Sequence, residues 1–464
     1  MKITVLAGSP KGEKSVTMQY VRFLQQRLPE HDVEVCQISR SIKKIETDPH
    51  AFEEVIDAVA SSDAVLWAFP VYYFLVPSQY KRFIELIGER KAQGAFQGKF
   101  AAVLTTSIHF FDHTAHEYMR AVCDDLGMSF AGAFSAEMYD LTREEPRQTF
   151  RDFIAALEET VRRGLPVPRT FPALGTVEFE YRPGPVDQPV DPGGKRVAIL
   201  HDAGPEQANL HGMILRLKDS FGGRAEVLDL NEVDIRAGCQ GCLRCGQANE
   251  CCFTKKDGYV EFFNGKVAKA DIVILAGSIA DRYLSSRWKL FFDRAFFNTH
   301  IPRMEGKQLA AVISGRLGAL ENLRHILQGY ADVQRAHLVD FVTDETAESG
   351  LLDARLSALA ERLVWFSNRD YVPPPTFSGV AGRKLFRDEV YSRLRPVFQA
   401  DHRYYKKHGW YDFPQKQIGL RMLNPVLSLL FRIPSLRRAF DNRVNTEMVR
   451  PLERVVEAER GGGE

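Results

Sequence analysis

Cys239, Cys242, Cys245, Cys251 and Cys252, five of the chain's seven cysteines, fall within fourteen residues. Steps of three let three thiolates converge on one small inorganic centre, and a fourth arrives after a short loop. Four soft sulfur donors on a tightly wrapped loop are what a cubane [4Fe–4S] cluster needs. A zinc ion also takes four thiolates, but its usual frame is two C-x2-C knuckles held apart by a long spacer. A loop of free or disulfide-prone thiols is the remaining alternative. The short step from Cys242 to Cys245 favours the cluster, with Cys239, Cys242, Cys245 and Cys251 as ligands and Cys252 competing for the last place.

A second stretch with chemical potential is Gly8-Ser-Pro-Lys-Gly-Glu-Lys-Ser-Val-Thr17, which follows the apolar run Ile3–Leu6. A strand that turns into a helix through small and hydroxylic residues leaves backbone N–H groups free to hold a phosphate. Ser9, Ser15 and Thr17 add hydroxyl donors and Lys11 adds charge. Neither a Walker loop nor G-x-G-x-x-G is present. Pro70–Phe74 and Thr105–Ser107 follow two further apolar runs, so all three loops are expected at the carboxyl edge of one parallel sheet, where open sheets bind ligands. An ordinary strand-to-helix connection is the bland alternative.

The elements that must position these loops alternate between strands and helices. Ile3–Leu6, Val33–Ile38, Ala64–Phe69, Phe100–Thr105 and Phe130–Phe134 read as strands, and Phe52–Ser61 as a helix. Such alternation predicts an α/β architecture with a doubly wound parallel sheet over residues 1–165. Residues 166–193 are proline-rich and read as a linker, with Thr176–Tyr181 as a candidate edge strand. From 194 to 371 the first pattern returns. Lys195–Leu200 repeats the opening strand, Ala270–Ala276 matches Ser62–Ala68, Trp288–Arg294 matches the Lys81 helix and Leu309–Ser314 matches Phe100–Thr105. Two tandem domains of one design are expected.

The first half, through Gly8–Thr17, Pro70-Val-Tyr-Tyr-Phe-Leu-Val-Pro77 and Lys81-Arg-Phe-Ile84, resembles the NAD(P)H-dependent FMN reductase family, whose fold is flavodoxin-like. The resemblance implies that Ser9, Lys11, Ser15, Val16 and Thr17 hold the FMN phosphate. It also implies that Pro70, Val71, Tyr72 and Tyr73 line the flavin, with Thr105, Thr106 and Ser107 fitting the third loop more weakly. The second half resembles the iron–sulfur flavoprotein branch of the same superfamily, which places C-x2-C-x2-C-x(4–7)-C after the second strand. It departs from that pattern where a phosphate loop would stand: His201–Leu210 lacks the serines and brings Asp202 and Glu206, which would repel a phosphate. The expected division of labour is FMN on the first domain and the cluster on the second, imitating a homodimer.

Composition excludes little. A net charge of +1 gives no reason to expect nucleic acid, and no run of eighteen apolar residues is present to span a bilayer. The chain opens directly on an apolar strand without a signal-peptide pattern, which with the clustered thiols leads to a cytoplasmic expectation. His109, His113 and His116 read as flavin-side or surface residues rather than metal ligands. Residues 372–464 leave the repeat: Leu385–Ala400 reads as a helix, and the apolar stretch Ile418–Phe431 is followed by Arg432, Arg437 and Arg438. Packing on the two domains or on a second copy is the expectation there, with contact to an anionic membrane surface as the alternative.

The functional expectation is a flavin-dependent oxidoreductase passing electrons from NAD(P)H or a reduced carrier through FMN and the cluster to a small-molecule or protein acceptor. The alternatives are an FMN or quinone reductase with no cluster, and a non-enzymatic electron carrier docked to a membrane or partner. No catalytic acid or base is readable.

Overall fold

The computed structural model describes residues 1–461, apart from the side chains of Asn445 and 458–461. The first domain runs β1 (Lys2–Ala7), α1 (Val16–Arg27), β2 (Asp32–Gln37), α2 (Ile38–Thr47), α3 (Pro49–Ala60) and β3 (Ala64–Pro70). It continues with α4 (Ser78–Glu89), β4 (Phe100–Thr106), α5 (Asp112–Asp125), β5 (Ser129–Ala136) and α6 (Glu144–Arg163). All its strand pairs are parallel and the order is β2-β1-β3-β4-β5. That is the flavodoxin-like order, whose ligand crevice lies beyond the carboxyl ends of the strands around β1 and β3. The central strands are continuous apolar runs because helices cover both faces; Leu6 pairs with Trp67, and Trp67 with Val103.

The second domain repeats the design with β6 (Val197–His201), α7 (Ala208–Ser220), β7 (Glu226–Asp229), α8 (Cys245–Ala248), α9 (Tyr259–Gly265) and β8 (Ile272–Ser278). After these come α10 (Ser286–Ala295), β9 (Gln308–Ser314), α11 (Glu321–Gln334), β10 (His337–Thr343) and α12 (Ser349–Ser367). Its sheet reads β7-β6-β8-β9-β10, the same order as the first. The cysteines occupy the long connection after β7, spanning α8 and the loops around it.

Between the domains the proline-rich segment is extended but forms no strand, so the candidate edge strand at Thr176–Tyr181 does not join the sheet. The side chain of Asn209 satisfies it instead, accepting from the Tyr181 N–H at 2.9 Å and donating to the Phe179 carbonyl at 2.7 Å. Below it the two domains share one apolar core, running without a break from Trp67 and Tyr80 to Trp288 and Tyr330. Helices α4 and α10 meet at its centre.

The chain forms two compact units, Met1–Tyr404 and Tyr405–Glu464. The expected helix at 385–400 is two helices, α13 (Phe377–Tyr391) in the first unit and α14 (Gln399–Lys407), within which the division falls. Pro396 lies in the break, where it can offer no N–H to continue a helix. The second unit is dominated by α15 (Ile418–Leu430) and α16 (Pro434–Gly461). Among the described residues no helix is long and apolar enough to cross a membrane.

Candidate cofactor site at the domain boundary

Sequence geometry delivers the three first-domain loops to one place. The loop after β1 buries Ser9, Ser15 and Thr17 almost completely, while Lys11 stays exposed. Ser15 caps α1, its hydroxyl accepting from the Met18 N–H at 3.1 Å. The opening N–H groups of α1, at Val16 and Thr17, belong to those a helix leaves without an internal acceptor. The Thr17 hydroxyl meets that of Thr106 at 2.7 Å, joining the first loop to the end of β4. The N–H of Val71 donates to the Thr106 carbonyl at 3.1 Å, which ties in the end of β3. A ring of hydroxyls and N–H groups at a helix N-terminus is chemistry for an anion such as a phosphate.

After Pro70 the chain reverses tightly. Tyr72 and Leu75 exchange two backbone hydrogen bonds, 2.9 and 3.1 Å long, around Tyr73 and Phe74. Both central residues have positive φ, 39° and 67°, a combination that Asn-Gly adopts without strain and that bulky residues adopt only when surroundings hold them there. Packing does the holding. The Phe74 ring lies 4.3 Å from that of Phe111, and its carbonyl accepts from the Thr114 hydroxyl at 2.6 Å. Tyr73 reaches into the second domain, 6.4 Å from the ring of Phe296 and 6.2 Å from that of Tyr330.

Thr105, expected in the third loop, lies within β4 and shares a 2.7 Å hydrogen bond with His116 on α5, while Ser107, just past the strand, accepts from the His109 N–H at 2.9 Å. Of the three histidines only His109 has a carboxylate partner, Asp112 at 2.9 Å, which holds its imidazole above the usual value. Burial lowers His116. Asp112 also accepts from the Ser135 hydroxyl at 2.6 Å.

The five cysteines of the second domain line one cavity together with Phe253, Arg294, Phe296 and Phe297; it encloses about 350 Å³, counting its open mouth. All seven thiols of the chain are free of disulfides. Burial, reinforced by Cys242 and Cys251, pushes the Cys245 thiol up to about 12. Burial likewise raises Cys252 to about 12, with a hydrogen bond to Cys242 adding to it. Such a set becomes thiolate only where positive charge enters beside it. Arg294 supplies some, its guanidinium fixed by Asp257 at 2.7 Å and laid over the Phe253 ring at 4.7 Å. Among the described residues no group of three or more His, Cys, Asp or Glu is arranged to hold a metal ion as it stands. A cubane is several atoms wide, so its ligands line a cavity instead of meeting at a point, and the donor set fits that demand.

The two features adjoin. Gly241, between Cys239 and Cys242, has φ of +60°, and a side chain there would run into the Tyr72 hydroxyl and stand 3.0 Å from Lys11 Cε. Gln79 donates to the Cys239 carbonyl at 3.3 Å, and Lys43 donates to the Arg236 carbonyl at 2.8 Å. The cysteine loop thus packs directly on the loops that follow β1 and β3. The break before α14 and α14 itself also brace it: Gln247 donates to the Pro396 carbonyl at 2.8 Å, and Arg403 donates to the Gln247 carbonyl at 2.5 Å.

The matching edge of the second domain is filled. Asn209 takes the place of Thr17 and Ser314 that of Thr106, and between them stands Asp344, 1% exposed. Asp344 accepts from Asn209 at 2.9 Å, Ser314 at 2.7 Å and the Gly315 N–H at 2.8 Å. Asp202, expected from sequence to repel a phosphate, is half-buried, bonded to the Ser285 hydroxyl, and raised to about 6 by its partial removal from solvent. A buried carboxylate at the phosphate position disfavours a second anion. Asp344 was not foreseen, since no local motif surrounds it; Gly241 and Arg294 escaped notice because their partners lie far away in sequence.

Residues 1–139 match the sequence model of a family described as NADPH-dependent FMN reductase. The chain is similar to an FMN-dependent NADH:quinone oxidoreductase of Bordetella bronchiseptica, 29% identical over 130 residues that cover 24% of this chain and 62% of that relative. A second FMN-dependent NADH:quinone oxidoreductase, of Vibrio vulnificus, is 30% identical over 95 residues, covering 18% of this chain and 49% of the relative. The chain therefore spans only about half to three fifths of the length of these two relatives. Among solved structures it is similar to an NADH:FMN oxidoreductase in apo form, with 17% identity, a TM-score of 0.30, and coverage of 36% of this chain and 90% of that one. It is also similar to the NAD(P)H:acceptor flavoenzyme FerB of Paracoccus denitrificans, with 18% identity, a TM-score of 0.29, and coverage of 35% and 97%.

Proposed function

We propose that this chain, whose residues 1–139 match the NADPH-dependent FMN reductase family, is an FMN-dependent oxidoreductase that also carries a [4Fe–4S] cluster. In this reading FMN binds the first domain, and Cys239, Cys242, Cys245 and Cys251 hold the cluster on the second. NAD(P)H or a reduced carrier is the donor, and a quinone or another small-molecule or protein acceptor lies beyond. FMN takes a hydride as an electron pair and can release electrons singly, which suits a one-electron cluster nearby.

The observation that carries this reading is the contact of Gly241 with Tyr72 and Lys11, which sets the cysteine loop against the flavin-side loops. The residues have separable tasks. Ser9, Ser15 and Thr17 bind the phosphate, with Lys11 adding charge at its rim. Tyr73 and Phe74 wall the site from water through their aromatic contacts with both domains. Phe253, Phe296 and Phe297 give the cysteines an apolar shell, and Arg294 offsets part of their negative charge. Asp344 and Asn209 hold the second edge closed, so one FMN per chain is expected.

A second reading rests on the names of the two relatives: an NAD(P)H-dependent quinone reductase whose cysteine cavity is structural. Anaerobic purification followed by assay of FMN, iron and acid-labile sulfide separates the two. About one FMN with about four iron and four sulfide per chain supports the cluster reading. Loss of iron with retention of FMN in Cys242→Ser assigns the ligand, and Cys251→Ser against Cys252→Ser identifies the fourth. FMN with no iron in protein kept free of oxygen throughout favours the second reading.

A further inference from the structure

Between Asp412 and Asp441 the chain carries Lys416, Arg421, Arg432, Arg437 and Arg438 and no carboxylate, although the whole molecule is nearly neutral. Within that window lies α15, and none of its residues is buried. Placed at 100° per residue, Arg421, Asn424 and Ser428 share one narrow sector, a spacing of three and four. Met422, Val426, Leu430 and Leu423 sweep the opposite side, with Ile418 at its edge. These side chains are openly exposed: Ile418 is 67% accessible, Met422 70% and Val426 53%. Ile433, Leu436 and Phe440 extend the apolar surface past the turn into α16.

Thirteen residues of α-helix reach only about 20 Å, short of the roughly 30 Å hydrocarbon core of a bilayer. Pro425 interrupts the helix as well. The segment is therefore too short to span, too apolar to remain in water without cost, and too uniformly cationic to suit a neutral partner. Broad apolar arc, narrow polar stripe and flanking arginines are the features of a helix that lies in the plane of an interface.

We propose that residues 416–440 form a peripheral docking element for an anionic lipid surface. The apolar arc of α15 enters the acyl boundary, while Arg432, Arg437 and Arg438 meet the lipid phosphates. Each arginine at such a surface is worth about fivefold in affinity at moderate ionic strength. This inference is independent of the cofactor reading above.

The test uses the full chain and sedimentation with vesicles of phosphatidylcholine alone or mixed three to one with phosphatidylglycerol. The expected result is binding to the mixed vesicles, weakened by salt, and little binding to the neutral ones. Neutralising Arg432, Arg437 and Arg438 to Gln lowers affinity about a hundredfold, and Val426→Asp with Leu430→Asp lowers it at least tenfold. Circular dichroism and the thermal transition confirm that each variant is folded, since the changed side chains are all exposed. Failure to bind the mixed vesicles overturns the proposal, as does equal binding by wild type and the Val426/Leu430 variant. A wild-type dimer that the same variant converts to monomer, without vesicle binding, overturns it in favour of a second copy of this chain.

Discussion

The backbone N–H of Ser78, at the start of α4, donates to the carboxylate of Asp293 on α10 at 2.7 Å. The relationship is returned: Ser286, at the start of α10, donates its N–H to Glu85 on α4 at 2.5 Å. Each carboxylate stands seven residues after the serine of its own helix and also pairs with a lysine four residues before it, Lys81 with Glu85 and Lys289 with Asp293. Two helix N-termini are thereby capped from across the domain boundary, where acidic groups complement the helix dipole. Lys81, Lys289 and Asp293 are buried, Lys81 also reaching Asp281 at 3.0 Å.

Removing one member of such a buried pair leaves the other charge uncompensated. Asp293→Ala is expected to destabilise the protein by about 3–5 kcal/mol in guanidinium unfolding. Combining Asp293→Leu with Lys289→Met should restore a good part of the loss, because no lone charge then remains inside.

Gly241→Ala adds a methyl group at a left-handed backbone position where the Tyr72 hydroxyl already stands. If the cysteines hold the proposed cluster, its reduction by NAD(P)H, followed by stopped-flow absorbance, should slow at least tenfold. Gly194→Ala, with nothing within 4 Å, is the matched control and should leave the rate unchanged.

Ser9→Ala and Thr17→Ala each take a buried hydroxyl from the anion cradle. FMN titration by fluorescence quenching should show the dissociation constant rising about tenfold for each, as expected for losing a hydrogen bond to a charged group. Asp344→Ala should leave FMN stoichiometry at one per chain, since Asn209 and Ser314 do not rebuild the missing cradle.

The Asp112 carboxylate raises the His109 imidazole above its usual value. A raised value in the folded state means that the charged pair stabilises fully below pH of about 6.5 and fades as pH climbs through the folded-state value. The stability difference between wild type and His109→Gln should therefore be largest in mildly acid solution and shrink toward alkaline pH. With His109 about half exposed the difference stays under about 1 kcal/mol. Thermal melts across the pH range check the sign.

The repeat is legible in the chain because its central strands, such as Ala64–Phe69 and Ile272–Ala276, are apolar runs that only a two-sided sheet buries. The three loops at the carboxyl edge of the first sheet are legible for the same reason, since each follows such a run. What local pattern conceals is long-range. Val177, Phe179 and Tyr181 alternate like a strand, yet their partner is one asparagine on α7. Helix α2 follows β2 without a turn or a side-chain cap, so nothing marks its start. Asp281, which no local motif marks, anchors Lys81 and Tyr118 of the other domain.

Joining the two halves in one chain changes what substitution can do. In an assembly of identical subunits every replacement appears twice, once on each side of the axis, so neither crevice can change without the other. Here Asp344 and Asn209 close one crevice while Thr17 and Thr106 keep their hydroxyls in its counterpart. The covalent link frees each half to drift on its own, and the capping serines and carboxylates of α4 and α10 keep the drifting halves in register.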